Sequence, residues 1–294
     1  MSEGAATGGM TRLGSTDPKQ LGPFRLLGVL GAGRTGTVYL GRGAPARGAK
    51  KQLAAVRALR PELLRDRQVR ARLRHQLQAV AAGVRSPYVA ASFGCELDSE
   101  RPWSAAEFVP GASLAALVAR HGPLPESAVR ALGGALARAL GALHAARTAH
   151  RDLRPSNVML SAEAARVVDY GTGLGRTDLA TAEEAGPAED VFDYAATLTY
   201  AASGRAPFPG SLLPTARDGP DLTGVPDALC PALLACLHKT PETRPMPDQL
   251  ARSLDLEDTA TREPAQWLPE AHLQGAEATA ESARALTGRR LFGR

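Results

Sequence analysis

Lysine is scarce in this chain: of 35 basic residues only four are lysines, Lys19, Lys50, Lys51 and Lys239. The formal charge of +5 and the pI of about 9.4 therefore come almost wholly from arginine. Enrichment in Arg, Ala and Gly reads first as a composition bias of the genome and only weakly as nucleic-acid binding, so no nucleic-acid partner is expected. Cysteine is scarce as well. Cys95, Cys230 and Cys236 are too few and too scattered for a zinc site or a disulfide framework, and are read as buried thiols in a reducing compartment. No stretch approaches ~18 uninterrupted apolar residues and the first twenty residues hold no apolar core, which disfavours membrane spanning and secretion and leaves the cytoplasm as the expected location.

What is present is enough for a substantial core, since 44% of 294 residues are hydrophobic and nothing demands a second domain. The most informative stretch is residues 150–160, where Asp152 and Asn157 stand five positions apart in a loop leading into a short apolar strand. The next strand, at residues 166–168, delivers Asp169, followed by Tyr170 and Gly171. Three oxygen-bearing side chains thus converge at the mouth of one hairpin, an arrangement suited to a metal–phosphate site. Phosphoryl transfer needs a carboxylate for the attacking hydroxyl and hard oxygen ligands for Mg²⁺. Asp152 is the expected base, with Asn157 and Asp169 the expected metal ligands.

Residues 150–160 resemble the catalytic loop of protein kinases, and Asp169-Tyr170-Gly171 resembles their Asp-Phe-Gly motif. The Leu-Arg-Pro-Ser-Asn continuation is similar to the Ser/Thr branch, with Arg154 at the position of that branch's catalytic-loop lysine. The resemblance extends over residues 24–269 and is especially close to actinobacterial kinases. It implies an α+β fold of two lobes: a small β-rich N-lobe with one main helix, and a larger α-helical C-lobe. The expected divisions are a flexible tail at 1–21, the N-lobe at 22–110, the C-lobe at 111–256 and an extension with a helix at 257–294.

Gly31, Gly33 and Gly36 form a G-x-G-x-x-G turn, a pattern that dinucleotide-binding folds and ordinary hairpins share. A strand rather than a helix follows Gly36, and Val38 stands where kinases cover the adenine ring. The resemblance further implies that the backbone of Glu107 and Val109 pairs with adenine, and that ATP and Mg²⁺ are the cofactors.

Two departures from the family pattern bear on activity. The strand containing Ala55 places Arg57 at the position of the phosphate-gripping lysine, although Lys50 and Lys51 lie at a more usual distance beyond Gly36 and form a competing register. The glutamate expected on the following helix, near residues 65–84, is replaced by Gln76. The segment after Tyr170 is short, with twenty positions to Asp190, the acid expected to bind the catalytic-loop backbone, and without an Ala-Pro-Glu triplet. Thr172, Thr177 and Thr181 remain there as possible phosphorylation sites. Three functions follow: a nucleotide-binding pseudokinase acting with a protein partner, an active Ser/Thr kinase with a protein substrate, and a small-molecule phosphotransferase.

Overall fold

A computed structural model describes residues 10–46, 48–170, 186–208, 219–253 and 267–287. Gly171, the three threonines Thr172, Thr177 and Thr181, the 256/257 boundary and the basic end at 288–294 lie outside the described residues. The first lobe is a six-stranded antiparallel sheet in the order β1-β2-β3-β4-β6-β5. Its strands are β1 (Gln20–Leu21), β2 (Phe24–Gly33), β3 (Gly36–Gly43), β4 (Gln52–Leu59), β5 (Ser92–Glu96) and β6 (Trp103–Glu107). Helix α1 (Arg67–Gly83) packs against β5. Asp66 caps it by accepting from Gln68 N, at 2.7 Å, one of the donors a helix start leaves unpaired.

Period-two alternation decides what β4 does. Ala54 and Val56 point into a small core with Phe24, Leu26 and Tyr39, whereas Ala55 and Arg57 point the other way, toward the space between the lobes. Lys50 and Lys51 fall outside the strand and are exposed. The register beginning at Lys50 is therefore corrected: the connection rich in Gly, Pro and Ala stays a hairpin loop, and Arg57 is the cation that the sheet carries to the cleft.

The tail expected at 1–21 needs correction for its described part. Gln20–Leu21 pair with β2, and Thr11 exchanges two backbone hydrogen bonds with Val29, at 3.0 and 2.8 Å. The unpaired outer edge of β2 takes up these segments, a pairing to which hydrophobic periodicity in the tail gives no clue.

The second lobe holds α2 (Leu114–His121), α3 (Glu126–Ala145), α4 (Pro187–Ser203), α5 (Cys230–Cys236), α6 (Pro247–Ser253) and α7 (Glu270–Thr287), with a small sheet of β7 (Ala112–Ser113), β8 (Val158–Leu160) and β9 (Ala165–Val167). Leu132, Leu136, Leu140 and Leu143 of α3 meet Tyr194 and Leu198 of α4 in one core that extends to Leu73, Leu77 and Val80 of α1. Residues 227–229 form a 3₁₀ turn that leads directly into α5. The helix expected within 257–294 is α7, which begins at Glu270 and includes Gly275. A Cβ there would lie 2.8 Å from His121 Nε2, so the glycine permits close packing rather than ending the helix.

Arg244 is held at the start of α4. Its Nη1 pairs with Glu189 Oε1 at 2.7 Å in the first turn of α4, and its guanidinium stacks over Phe192 at 5.0 Å. Arginine suits such a contact because its fork can pair and stack at once.

Candidate active site

The cleft is a cavity of about 300 Å³ lined by Leu30, Val38, Ala55, Arg57, the 104–109 segment, Asn157, Met159 and Asp169. Its apolar walls follow from strand alternation: Val158 and Leu160 are fully buried on one face of β8, leaving Met159 to face the cavity. Glu107 and Val109 both line it. The Glu107 side chain, which the sequence leaves without a role, takes a two-pronged contact from Arg166 at 2.8 and 2.6 Å. Burial alone would raise its pKa, but the Arg166 guanidinium holds the carboxyl below its ordinary value. This pair ties the connection between the lobes to β9.

The catalytic loop is held by a buried acid. Asp190, fully inaccessible, accepts from the backbone N–H of His150 at Oδ2 and of Arg151 at Oδ1, at 2.8 Å each, and His144 Nε2 lies 2.8 Å from the same Oδ2. The role of His144 was not legible beforehand. Its nearest signal is its place on the α3 face six residues ahead of His150. With the loop fixed, Asp152 and Asn157 meet: Asn157 Nδ2 donates to Asp152 O at 2.7 Å and to Asp152 Oδ2 at 3.2 Å. Burial pushes the Asp152 carboxyl above its ordinary pKa, with Arg154, whose Nε is 3.5 Å from Oδ1, pulling the other way. Arg154 is otherwise half-exposed.

His150 is wholly buried. Its Nε2 lies 3.1 Å from Val168 O while Asp152 N donates to its Nδ1 at 3.4 Å, which requires the neutral ring with its proton on Nε2. Burial lowers its pKa against the upward pull of Asp190, Asp152 and Asp169. The folded chain thus binds this proton less readily than the unfolded one. The associated stability is complete above the unfolded histidine pKa of about 6.5 and is lost as pH falls through it, by at most about 1.4 kcal/mol per unit. In thermal melts between pH 7.5 and 5.5, His150→Gln is expected to lose less stability on acidification than the intact chain. Parallel pH profiles for the two would show that His150 carries no such linkage.

At the centre of the cleft, Arg57 Nη2 pairs with Asp169 Oδ2 at 2.5 Å, and Nη1 donates to Thr35 Oγ1 in the glycine-rich turn. Arg60 holds the same turn through Gly33 O at 3.2 Å. Helix α1 contains no acidic residue, and its buried face is Leu73, Gln76, Leu77 and Val80. The carboxylate that Arg57 engages is therefore Asp169, which is also the expected metal ligand. Asp169 takes a left-handed backbone, φ 64°, and Tyr170 after it is anchored by donating its hydroxyl to Ala90 O at 2.6 Å. Of the glycines in the turn, Gly36 has a structural reason independent of any ligand, because at φ 146° a Cβ would collide with Ala58 O.

A Gly-rich hairpin over an apolar slot, a loop acid and amide held from below by Asp190, and a second acid opposite a strand cation form one constellation. The protein kinase domain family matches residues 24–203 of the sequence. The chain belongs to the protein kinase family. Within it, the relatives are actinobacterial eukaryotic-like Ser/Thr kinases. The chain is 36% identical over 286 residues to the serine/threonine-protein kinase AfsK of Streptomyces griseus, covering 86% of this chain and 34% of that protein. It is 31% identical over 267 residues to the probable serine/threonine-protein kinase PkwA of Thermomonospora curvata, covering 83% of this chain and 35% of that one. The chain spans about a third of the length of these relatives. Among the described residues of this kinase-family chain, no helix is long and apolar enough to cross a membrane.

The cleft also fits the family's ligands by donor type. Its slot between Val38, Ala55 and Met159 matches a planar base, and Asn157 and Asp169 offer hard oxygen atoms to one cavity. Asn157 and Asp169 are the residues that would hold Mg²⁺.

Proposed function

We propose that the cleft binds Mg-ATP and that transfer of its phosphoryl group to Ser or Thr is weak or lost, making the chain a nucleotide-responsive module that acts through a protein partner. The free thiols Cys95, Cys230 and Cys236 suit a reducing, cytoplasmic setting. The observation that carries the reading is the Arg57–Asp169 pair. When bound, the metal would supply charge neutralisation at the phosphates. Arg57 competes for that role by holding one oxygen of Asp169, and its planar fork cannot take the place of a compact ammonium without displacing what it grips. Because α1 supplies an amide at Gln76, no second carboxylate among the described residues draws Arg57 away.

The intact loop favours a second reading, an active Ser/Thr kinase. Asp152 and Asn157 keep their mutual hydrogen bond, and burial raises the affinity of Asp152 for a proton, as a base requires.

ATP with Mg²⁺ at a hundredfold excess over Kd adds about 2.7 kcal/mol to stability. That corresponds to a rise of roughly 4–5 °C in melting temperature for a chain of this size. No rise would end the nucleotide reading. In a radiolabelled transfer assay, turnover is expected at least about a hundredfold below the roughly 1–100 s⁻¹ typical of kinases. Turnover within that range, abolished by Asp152→Asn, would establish the active kinase instead.

A further inference from the structure

The outer wall of the cleft is completed by residues from outside the family's segment. Met10 and Thr279 both line the cavity, one from the chain ahead of β1 and the other from α7. Neither position carries a signal in sequence. Each is brought there by packing that can be followed from end to end.

Helix α7 is anchored first in the second lobe. Just ahead of it, Trp267 Nε1 donates to Ser161 O at 3.1 Å, and Trp267, Leu268 and Ala276 enter the main core. One turn in, His272 Nε2 lies 2.9 Å from Gly122 O at the end of α2, and its ring is 5.4 Å from that of His121. The buried residues His272, Ala276, Ala280 and Ala283 recur at spacings of four, four and three, and such small side chains let the helix lie close to what it crosses. It packs on α2, then on β7 just after the connection between the lobes, and finally on β2 of the first lobe. There Leu286 covers Gly28, where an added Cβ would lie 2.8 Å from Leu286 Cδ1 and 2.8 Å from Thr11 O. Thr11 is itself paired to Val29, which fixes Met10 beside the opening.

We infer that α7 and the Thr11 segment form a strap across the mouth of the cleft: Met10 and Thr279 contact the bound nucleotide, and release of Leu286 from Gly28 gates its entry and exit. The inference rests on the nucleotide reading of the cleft. Opening a two-lobed cleft requires the lobes to separate, and a helix attached to both must let go of one. The grip on β2 is the weaker end, a half-buried leucine on a glycine, whereas the other end is set in the core with Trp267. Such a gate acts chiefly on exchange rates, and the wall contact acts on affinity.

The test uses the full chain and a fluorescent ATP analogue with Mg²⁺, followed by stopped flow and by equilibrium titration. Leu286→Asp is expected to speed dissociation at least about tenfold, and Thr279→Trp to weaken affinity at least about tenfold, by filling the wall. Both residues are only partly buried, so both variants are expected to fold, which a melt without nucleotide checks. Dissociation from Leu286→Asp at the intact rate overturns the gate, and unchanged affinity in Thr279→Trp overturns the wall contact. Binding by Leu286→Asp but not by the intact chain supports the strap in its strongest form, as a block. Binding by neither removes the nucleotide reading, and the strap's role with it.

Discussion

Asp190→Ala is expected to lower stability by about 3–5 kcal/mol, the largest effect of any single substitution proposed for this chain. The carboxylate is inaccessible and receives two backbone N–H groups and the His144 imidazole. Alanine removes every acceptor at once and leaves those donors buried without partners, each costing about 1–3 kcal/mol. Water has no ready route to compensate them, since Asp190 and His150 are both fully buried. For a chain of this length the expected drop in melting temperature is roughly 5–8 °C. Asp190→Asn keeps one acceptor oxygen but turns a donor toward the remaining donors, so it should fall between the intact chain and Asp190→Ala. A drop in Asp190→Ala below about 3 °C would mean that the loop finds other acceptors, and that the buried acid is not what holds it.

The second large effect is a gain. Arg57→Lys combined with Gln76→Glu is expected to raise phosphoryl transfer about a hundredfold, equivalent to about 2.7 kcal/mol of barrier. The lysine ammonium is compact, and a carboxylate on the buried face of α1 gives it a partner other than Asp169. Freed from the 2.5 Å contact with Arg57, both oxygens of Asp169 become available to the nucleotide site. Either single change should do less, because Arg57→Lys alone leaves Asp169 as the countercharge that the structure shows at that position, and Gln76→Glu alone leaves the bulky fork in place. The measurement is radiolabel transfer to a generic protein substrate, with the same pair of changes on Asp152→Asn as the blank. If the double variant transfers no faster than the intact chain, Arg57 is not the cause of weak turnover.

Much of the site was legible because its members are close in sequence. Asp152, Asn157 and Asp169 belong to one loop and one hairpin, so spacing alone brings them together. The apolar run at residues 53–59 likewise favoured Arg57 over Lys50 and Lys51, and β4 carries Arg57 to the cleft. The tail, the start of α7 and the partners of Arg57, Glu107 and Arg244 were not legible.

The sequence by itself determined the family, the two-lobed architecture and the identity of the loop residues, because these are written in contiguous motifs whose backbone requirements are local. Only the tertiary structure decided that Arg57 answers to Asp169, 112 positions away, that Glu189 serves Arg244, 55 positions away, and that Met10 and Thr279 close one cavity. Those pairings depend on where a twisted sheet and packed helices carry side chains in space. Charge and volume seek the nearest complement there, whatever the distance along the chain.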